Sequence, residues 1–149
     1  CLVPEKRNEV TTEGGLNLEK NKFKLKRIIK KFNKKKIRTS LFINPNIKNI
    51  KLSKKLGTKC IELHTGKLSK LIKNNNNYQS EMKVFKKCVE LAHSLKLKVH
   101  AGHGMDYKTT SILSKLKKID EFNIGHFLIG EAIFYGLNNV IKRIKKLSK

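Results

Sequence analysis

The sequence has few of the residues that mark secreted, membrane-spanning or metal-binding proteins. Its 149 residues include no tryptophan, two prolines and three cysteines. Cys1, Cys60 and Cys88 are odd in number and lack paired metal-ligand spacing, so we expect reduced thiols, two of them in the core. No run of about twenty apolar residues could span a membrane. The first ten residues are charged where a signal peptide is apolar. We therefore expect a cytoplasmic chain without a metal site.

Arginine is scarce although the chain is strongly basic. The formal net charge is +24, yet the 35 basic residues include only four arginines, the others being lysines. Arginine is the residue that reads bases and binds phosphate in a bidentate manner. The lysines fall on polar faces of predicted helices, as in KFKLKRIIKKF at 22–32. We expect solvated lysines and no specific nucleic-acid partner; salt-dependent binding of polyanions is the alternative.

Short runs rich in β-forming residues alternate with longer segments of helical periodicity. The predicted strands are 1–4, 39–43, 60–64, 97–101 and 121–125, and the predicted helices are 19–33, 46–56, 79–95, 109–117 and 127–147. Strict alternation in units of this length predicts an α/β fold with a parallel sheet. The strands show little polar alternation, which is typical of a sheet buried on both faces.

Two architectures fit this alternation: an open doubly wound sheet, or part of a (β/α)8 TIM barrel. A complete barrel needs about 250 residues, and five units would be its last five, strands 4 to 8. We find no linker, so residues 1–149 form part of a single domain. The chain begins with Cys1 rather than Met, and we expect it to be a fragment of a longer protein.

Polar residues follow the predicted strands at their carboxyl ends, where parallel α/β folds bind ligands. Glu62 lies within an apolar strand and is costly to bury unless it is paired or functional. His64 points the same way by parity and is either a site residue or the hydrogen-bond partner of Glu62. The segment TTEGG at 11–15 is either a turn or a backbone nest for a phosphate.

Two histidines lie in glycine-containing turns. His103 stands between two glycines in AGHG, where the imidazole is unshielded and can exchange protons near neutral pH. Gly125 and His126 precede the last predicted helix, whose free N–H groups can hold an anion. His100 is interpreted as a packed strand residue.

These motifs resemble one family closely, the pyridoxine 5′-phosphate synthases of the deoxyxylulose-dependent vitamin B6 pathway. The resembling segments are LVPEKRNEVTTEGGLNL, SLFINPN, IELHTG, KVHAGHGMDY and EFNIGHFLIGEAIFYGL. The resemblance implies a TIM barrel that condenses 1-deoxy-D-xylulose 5-phosphate with 3-amino-2-oxopropyl phosphate. The implied products are pyridoxine 5′-phosphate, phosphate and water. The resemblance also implies that no cofactor or metal is needed, and that the full-length enzyme is a homo-octamer.

The resemblance also implies roles for six residues. His103 looks like a proton donor, and Glu62 looks like a stabiliser of transition-state charge. Thr11 looks like a contact to the deoxyxylulose phosphate. Gly104, Gly125 and His126 look like contacts to the phosphorylated substrates.

The sequence departs from the family in its length and at a few single positions. The family's chain is about a hundred residues longer at its N-terminus, where the first three strands and further catalytic residues are expected. His100 stands where Asn is usual. A catalytically dead remnant that acts at most as a basic polyanion-binding module is therefore the alternative to an enzyme.

Overall fold

A computed structural model describes residues 1–4 and 14–148. Each strand is followed by one or two helices along this part of the chain. The strands are β1 (Ser40–Ile43), β2 (Cys60–His64), β3 (Lys98–Gly102) and β4 (Glu121–Asn123). The helices are α1 (Lys22–Lys34), α2 (Ile47–Leu56), α3 (Gly66–Lys73), α4 (Gln79–Ser94), α5 (Tyr107–Leu113), α6 (His126–Tyr135) and α7 (Leu137–Leu147). None of these helices is long and apolar enough to cross a membrane.

The four strands form one parallel sheet in the order β1-β2-β3-β4. The predicted strand at 1–4 is reduced to a single parallel bridge, in which Leu2 pairs with Leu41 at the edge of β1. The prediction of five strands is therefore confirmed for four, with one bridge at the position of the other. A doubly wound sheet reverses its strand order. The sequential order seen here is consistent with part of a TIM-barrel-like fold.

The two faces of the sheet differ in polarity because successive side chains point to opposite sides. One face carries only apolar side chains, which pack with apolar residues of α1 to α5 in one core. Its fully buried members are Leu41, Ile43, Ile61, Leu63, Val99 and Ala101. The other face carries Phe42, Glu62, His64, His100, Gly102 and Asn123, which the parallel register places on neighbouring positions. The sheet thus presents a polar surface on the side opposite these helices.

Two helical predictions were incomplete. Helix α3 was not predicted, because its eight residues give only two turns of periodicity beside an asparagine-rich segment. The single helix predicted at 127–147 is two helices, because Gly136 has a positive φ of 77° and ends α6. The apolar residues of α6 are not core residues: Ile133 and Phe134 are 79% and 81% exposed. Cys60 and Cys88 are fully buried, as predicted.

Candidate active site

A cavity of about 950 Å³ opens at the carboxyl ends of the strands, and it brings together five of the six predicted site residues. These five are Glu62, His103, Gly104, Gly125 and His126. The sixth, Thr11, lies outside the described residues. The remaining lining residues are Val3, Phe42, Lys73, Met105, Phe122, Asn123, Ile124 and Phe127. Residues that follow separate strands therefore line one cavity, and their roles in a site remain predictions.

Glu62 lies on β2 with its side chain on the polar face of the sheet, and the residue is 9% exposed. Its Oε2 accepts a hydrogen bond of 2.7 Å from Nδ2 of Asn123 and lies 3.4 Å from Sγ of Cys1. Burial raises the pKa of Glu62, while the Asn123 hydrogen bond and the neighbouring His100 act in the opposite direction. The buried carboxylate therefore has a partner, but that partner is Asn123 and not His64.

Gly102 makes room for the Glu62 side chain. A Cβ atom at Gly102 would overlap Oε1 of Glu62 and lie 3.0 Å from the Cβ and carbonyl oxygen of Asn123. The first glycine of AGHG therefore allows the carboxylate to lie across the strand beside Asn123.

The His103 loop has an uncommon backbone conformation. His103 and Gly104 have positive φ values of 78° and 73°, and a non-glycine residue in this region is often found at functional sites. The loop is held by the buried Thr65, whose Oγ1 lies 2.9 Å from the carbonyl oxygen of Gly102 and 2.5 Å from that of His103. The loop that carries the predicted proton donor is thus anchored to the end of β2.

His64 and His103 form a pair of rings beside the cavity. Their centroids are 4.7 Å apart, and Phe42 packs edge-on against His64 at 5.2 Å. Burial, together with the neighbouring His103, lowers the pKa of His64 from 6.5 to about 4. His64 is therefore uncharged near neutral pH.

Gly125 and His126 form the start of α6, as predicted, and both are exposed. Among the described residues, no side chain caps this helix start, and a Cβ at Gly125 would meet none of their atoms within 4 Å. The helix is positioned by Phe127, which packs edge-on against Tyr107 at 4.8 Å. Unpaired N–H groups and the helix dipole favour an anion at such a start. Lys73 adds a cationic side chain to the lining of the same cavity.

Only the two glycines of TTEGG lie within the described residues. The backbone N–H of Gly15 donates to Oδ1 of Asn44 at 3.0 Å, and that of Leu16 donates to the carbonyl of Phe42 at 2.8 Å. A Cβ at Gly15 would overlap the backbone of Ile43 and Asn44. Gly15 is therefore required for close approach to the end of β1, and the interpretation of TTEGG at 11–15 as a phosphate nest remains a prediction.

Sequence reasoning missed Asn123 and Lys73. Asn123 lies opposite Gly102 in the register of β3 and β4, which the sequence does not display. Its only local signal is an amide two positions before the Gly125 turn. Lys73 is one of many lysines, and nothing in the sequence distinguishes it from those on the surface.

Comparisons with known proteins identify relatives over the whole chain. A family model described as pyridoxal phosphate biosynthesis protein PdxJ matches residues 1–149. The chain is 63% identical over 148 residues to the pyridoxine 5′-phosphate synthase of Pelagibacter ubique (strain HTCC1062), covering 99% of this chain and 62% of that protein. It is 46% identical over 147 residues to the synthase of Zymomonas mobilis subsp. mobilis (strain ATCC 31821 / ZM4 / CP4), covering 99% and 57%. It is 43% identical over 149 residues to that of Blochmanniella floridana, covering 100% and 60%. The chain spans about three fifths of the length of these relatives.

Proposed function

This chain belongs to the family of pyridoxal phosphate biosynthesis protein PdxJ, and we propose that it acts in a pyridoxine 5′-phosphate synthase. The reaction proposed is the condensation of 1-deoxy-D-xylulose 5-phosphate with 3-amino-2-oxopropyl phosphate to pyridoxine 5′-phosphate, phosphate and water. The observation that carries the proposal is the single cavity lined by Glu62, His103, Gly104, Gly125 and His126. The relatives are named as enzymes. These names do not favour the alternative of a catalytically dead remnant that binds polyanions.

The fold proposed for the whole enzyme is a (β/α)8 barrel. Leu2 would belong to the fourth strand, and β1 to β4 would be the fifth to eighth strands. The sequential parallel order and the polar face opposite α1 to α5 support this proposal, because a barrel encloses one face of its sheet and covers the other with helices. The end of the last two strands is the common phosphate site of such barrels, and Gly104, Gly125 and His126 lie there.

The proposed chemistry needs a proton donor and a stabiliser of developing positive charge. His103 is proposed as the donor, because its ring lines the cavity while the neighbouring His64 stays uncharged. Glu62 is proposed as the stabiliser, because its carboxylate is oriented by Asn123 in a largely buried position where a charge acts strongly. No cofactor is assigned to either role.

The two phosphorylated substrates need two anion sites. The start of α6 with Gly125 and His126 is proposed as one of them, with Lys73 and Gly104 at the rim of the same cavity. Thr11 is proposed as a contact to the deoxyxylulose phosphate. Assembly as a homo-octamer and a cytoplasmic location stay predictions.

A chimera tests the proposal. The 149-residue chain is joined to the part of the Pelagibacter relative that it does not match, and pyridoxine 5′-phosphate formation is measured from the two substrates. We expect product from the chimera and none from the chain alone, because a barrel encloses its pocket with eight strands and the described sheet supplies four. A folded chimera that binds both substrates without forming product would overturn the proposal.

The role of His103 is tested in the same chimera. His103→Asn is expected to lower kcat by at least about 100-fold, the usual contribution of a general acid, while binding of deoxyxylulose phosphate is retained. His93→Asn is the matched control, because His93 is exposed on α4 and is not among the residues that line the cavity. Equal turnover in the two variants would show that His103 is not the proton donor.

A further inference from the structure

Tyr107 lies where helices α5, α6 and α7 meet. It is the first residue of α5 and is half-buried. Its ring meets the ring of Phe127 on α6 edge-on, with the centroids 4.8 Å apart. The guanidinium carbon of Arg143 on α7 lies 3.9 Å from the centroid of the same tyrosine ring. One aromatic ring therefore contacts a side chain from each of the two helices that follow β4.

Helix α6 depends on few other contacts for its position. None of its residues is buried, and none belongs to the hydrophobic core of the described part of the chain. It packs mainly against α7, whose buried residue is Val140. The contact between Phe127 and Tyr107 is therefore a main side-chain attachment of α6 to the remainder of the fold.

The helix that carries Tyr107 is firmly placed. Asp106 caps its start, where Oδ1 accepts a hydrogen bond of 2.7 Å from the backbone N–H of Thr109. Thr109 and Thr110 are fully buried in the next turn, and Met105, just before the cap, is 1% exposed. Tyr107 is thus held in place by buried residues on both sides of it in the chain.

Phe127 connects this contact to the candidate active site. Its side chain lines the cavity together with His126, which directly precedes it, whereas Tyr107 is not among the lining residues. A shift of Phe127 would therefore move His126 and the backbone N–H groups at the start of α6. The loop that carries His103 would not follow, because it has its own anchor in Thr65.

We propose that Tyr107 is a positioning residue, which holds the start of α6 at the cavity through its ring contact with Phe127. Gly125 and His126, the proposed phosphate contacts, lie at this helix start. The inference rests on the proposed function in so far as the start of α6 binds a substrate phosphate. Tyr107 acts through Phe127 and does not contact a substrate itself.

The chimera tests this role through a comparison of KM with kcat. Tyr107→Leu removes the ring and is expected to raise KM for one of the two phosphorylated substrates about tenfold, the combined effect of losing an aromatic pair and a cation–π contact. The value of kcat should stay within about threefold, because a lost binding contact raises KM alone and the His103 loop keeps its anchor.

Two variants separate positioning from general stability. Tyr78→Leu is the matched control, because Tyr78 is also a half-buried tyrosine at a helix start and lines a different pocket; both KM values should be unchanged. Tyr107→Phe keeps the ring contacts with Phe127 and Arg143 and loses only the hydrogen bonds of the hydroxyl with Glu131 and Arg143. It should restore KM to within about threefold of the unaltered chimera. Equal KM values for Tyr107→Leu and Tyr78→Leu would overturn the inference.

A second measurement needs no substrate and no product. Amide hydrogen exchange in the 149-residue chain should show about tenfold less protection of α6 in Tyr107→Leu, with α2 unchanged as the internal reference. Arg143→Gln, at an exposed position, covers the case in which Tyr107→Leu does not fold, and should lower the protection about threefold. Unchanged protection of α6 in a folded variant would contradict the inference. A missing product in the unaltered chimera is a failure of the proposed function and leaves this exchange test in force.

Discussion

Substitution of Gly102 by alanine should displace the Glu62 carboxylate from Asn123 without adding or removing any ionisable group. The added Cβ would overlap Oε1 of Glu62 and lie 3.0 Å from the Cβ of Asn123. Ordinary contact between such atoms needs about 3.5 Å, so the carboxylate must move by about 1 Å. The Asn123 hydrogen bond, now 2.7 Å long, would then pass out of bonding range.

The expected loss of stability follows from the lost hydrogen bond and from the overpacking of the site. A hydrogen bond to a charged group contributes about 1.5–3 kcal/mol, and overpacking a close-fitting site costs about 1–3 kcal/mol. With partial relaxation of the site, we expect the free energy of unfolding to fall by about 2–4 kcal/mol. A displacement of about 1 Å in a catalytic group lowers turnover by about 100-fold.

Denaturant unfolding of the chain measures the first quantity, and product formation by the chimera measures the second. Gly130→Ala is the matched control, because a Cβ there would meet nothing within 4 Å in the interior of α6. That change should stabilise the helix by up to about 1 kcal/mol. If Gly102→Ala is as stable as the unaltered chain and Asn123 still binds Glu62, the steric argument is refuted.

Three further predictions concern the surroundings of the cavity. The lowered pKa of His64 means that the folded state favours its neutral form, so its contribution to stability is complete above pH 6.5 and is lost as the pH falls toward about 4. The unfolding free energy of His64→Asn should accordingly decline less over that pH window than that of the unaltered chain. Thr65→Val removes the hydroxyl beside the carbonyls of Gly102 and His103 and should lower the free energy of unfolding by about 1–2 kcal/mol. Thr65→Ser keeps a hydroxyl at this position and should retain most of the stability. Gly136→Ala should lower the free energy of unfolding by roughly 1–3 kcal/mol, because the φ of 77° at this position disfavours any side chain. Thermal unfolding measures this change. An unchanged stability would show that the backbone between α6 and α7 relaxes to accept alanine.

The candidate residues that line the cavity could be named from the sequence because they lie in short local motifs. Glu62 interrupts an apolar strand, and His103 stands between glycines, so both are visible without any tertiary information. The partner of Glu62 was not predictable. Asn123 is 61 residues away and reaches the carboxylate only through the register of three strands, while His64, the partner considered from parity, stacks against His103 instead.

The ends of a helix were predictable where its apolar periodicity extends over many residues. The prediction failed where the periodic segment is short. The 16 residues of α4 agree with the predicted span within one residue at its C-terminal end. Helix α3 has eight residues, too few for a clear periodic signal. The break at Gly136 was missed because glycine is also tolerated within helices, and only its backbone angle distinguishes the two cases.

The sequence by itself determined the order of the four strands and of most helices and the identity of the side chains at the strand ends, because these follow from local propensity and periodicity. Tertiary structure alone decided which of those side chains meet. The parallel register places Glu62 beside His100 and Gly102 beside Asn123, and the packing of two loops places His64 against His103. Such pairings join residues far apart in the chain. They depend on strand order and register, which no local sequence pattern specifies.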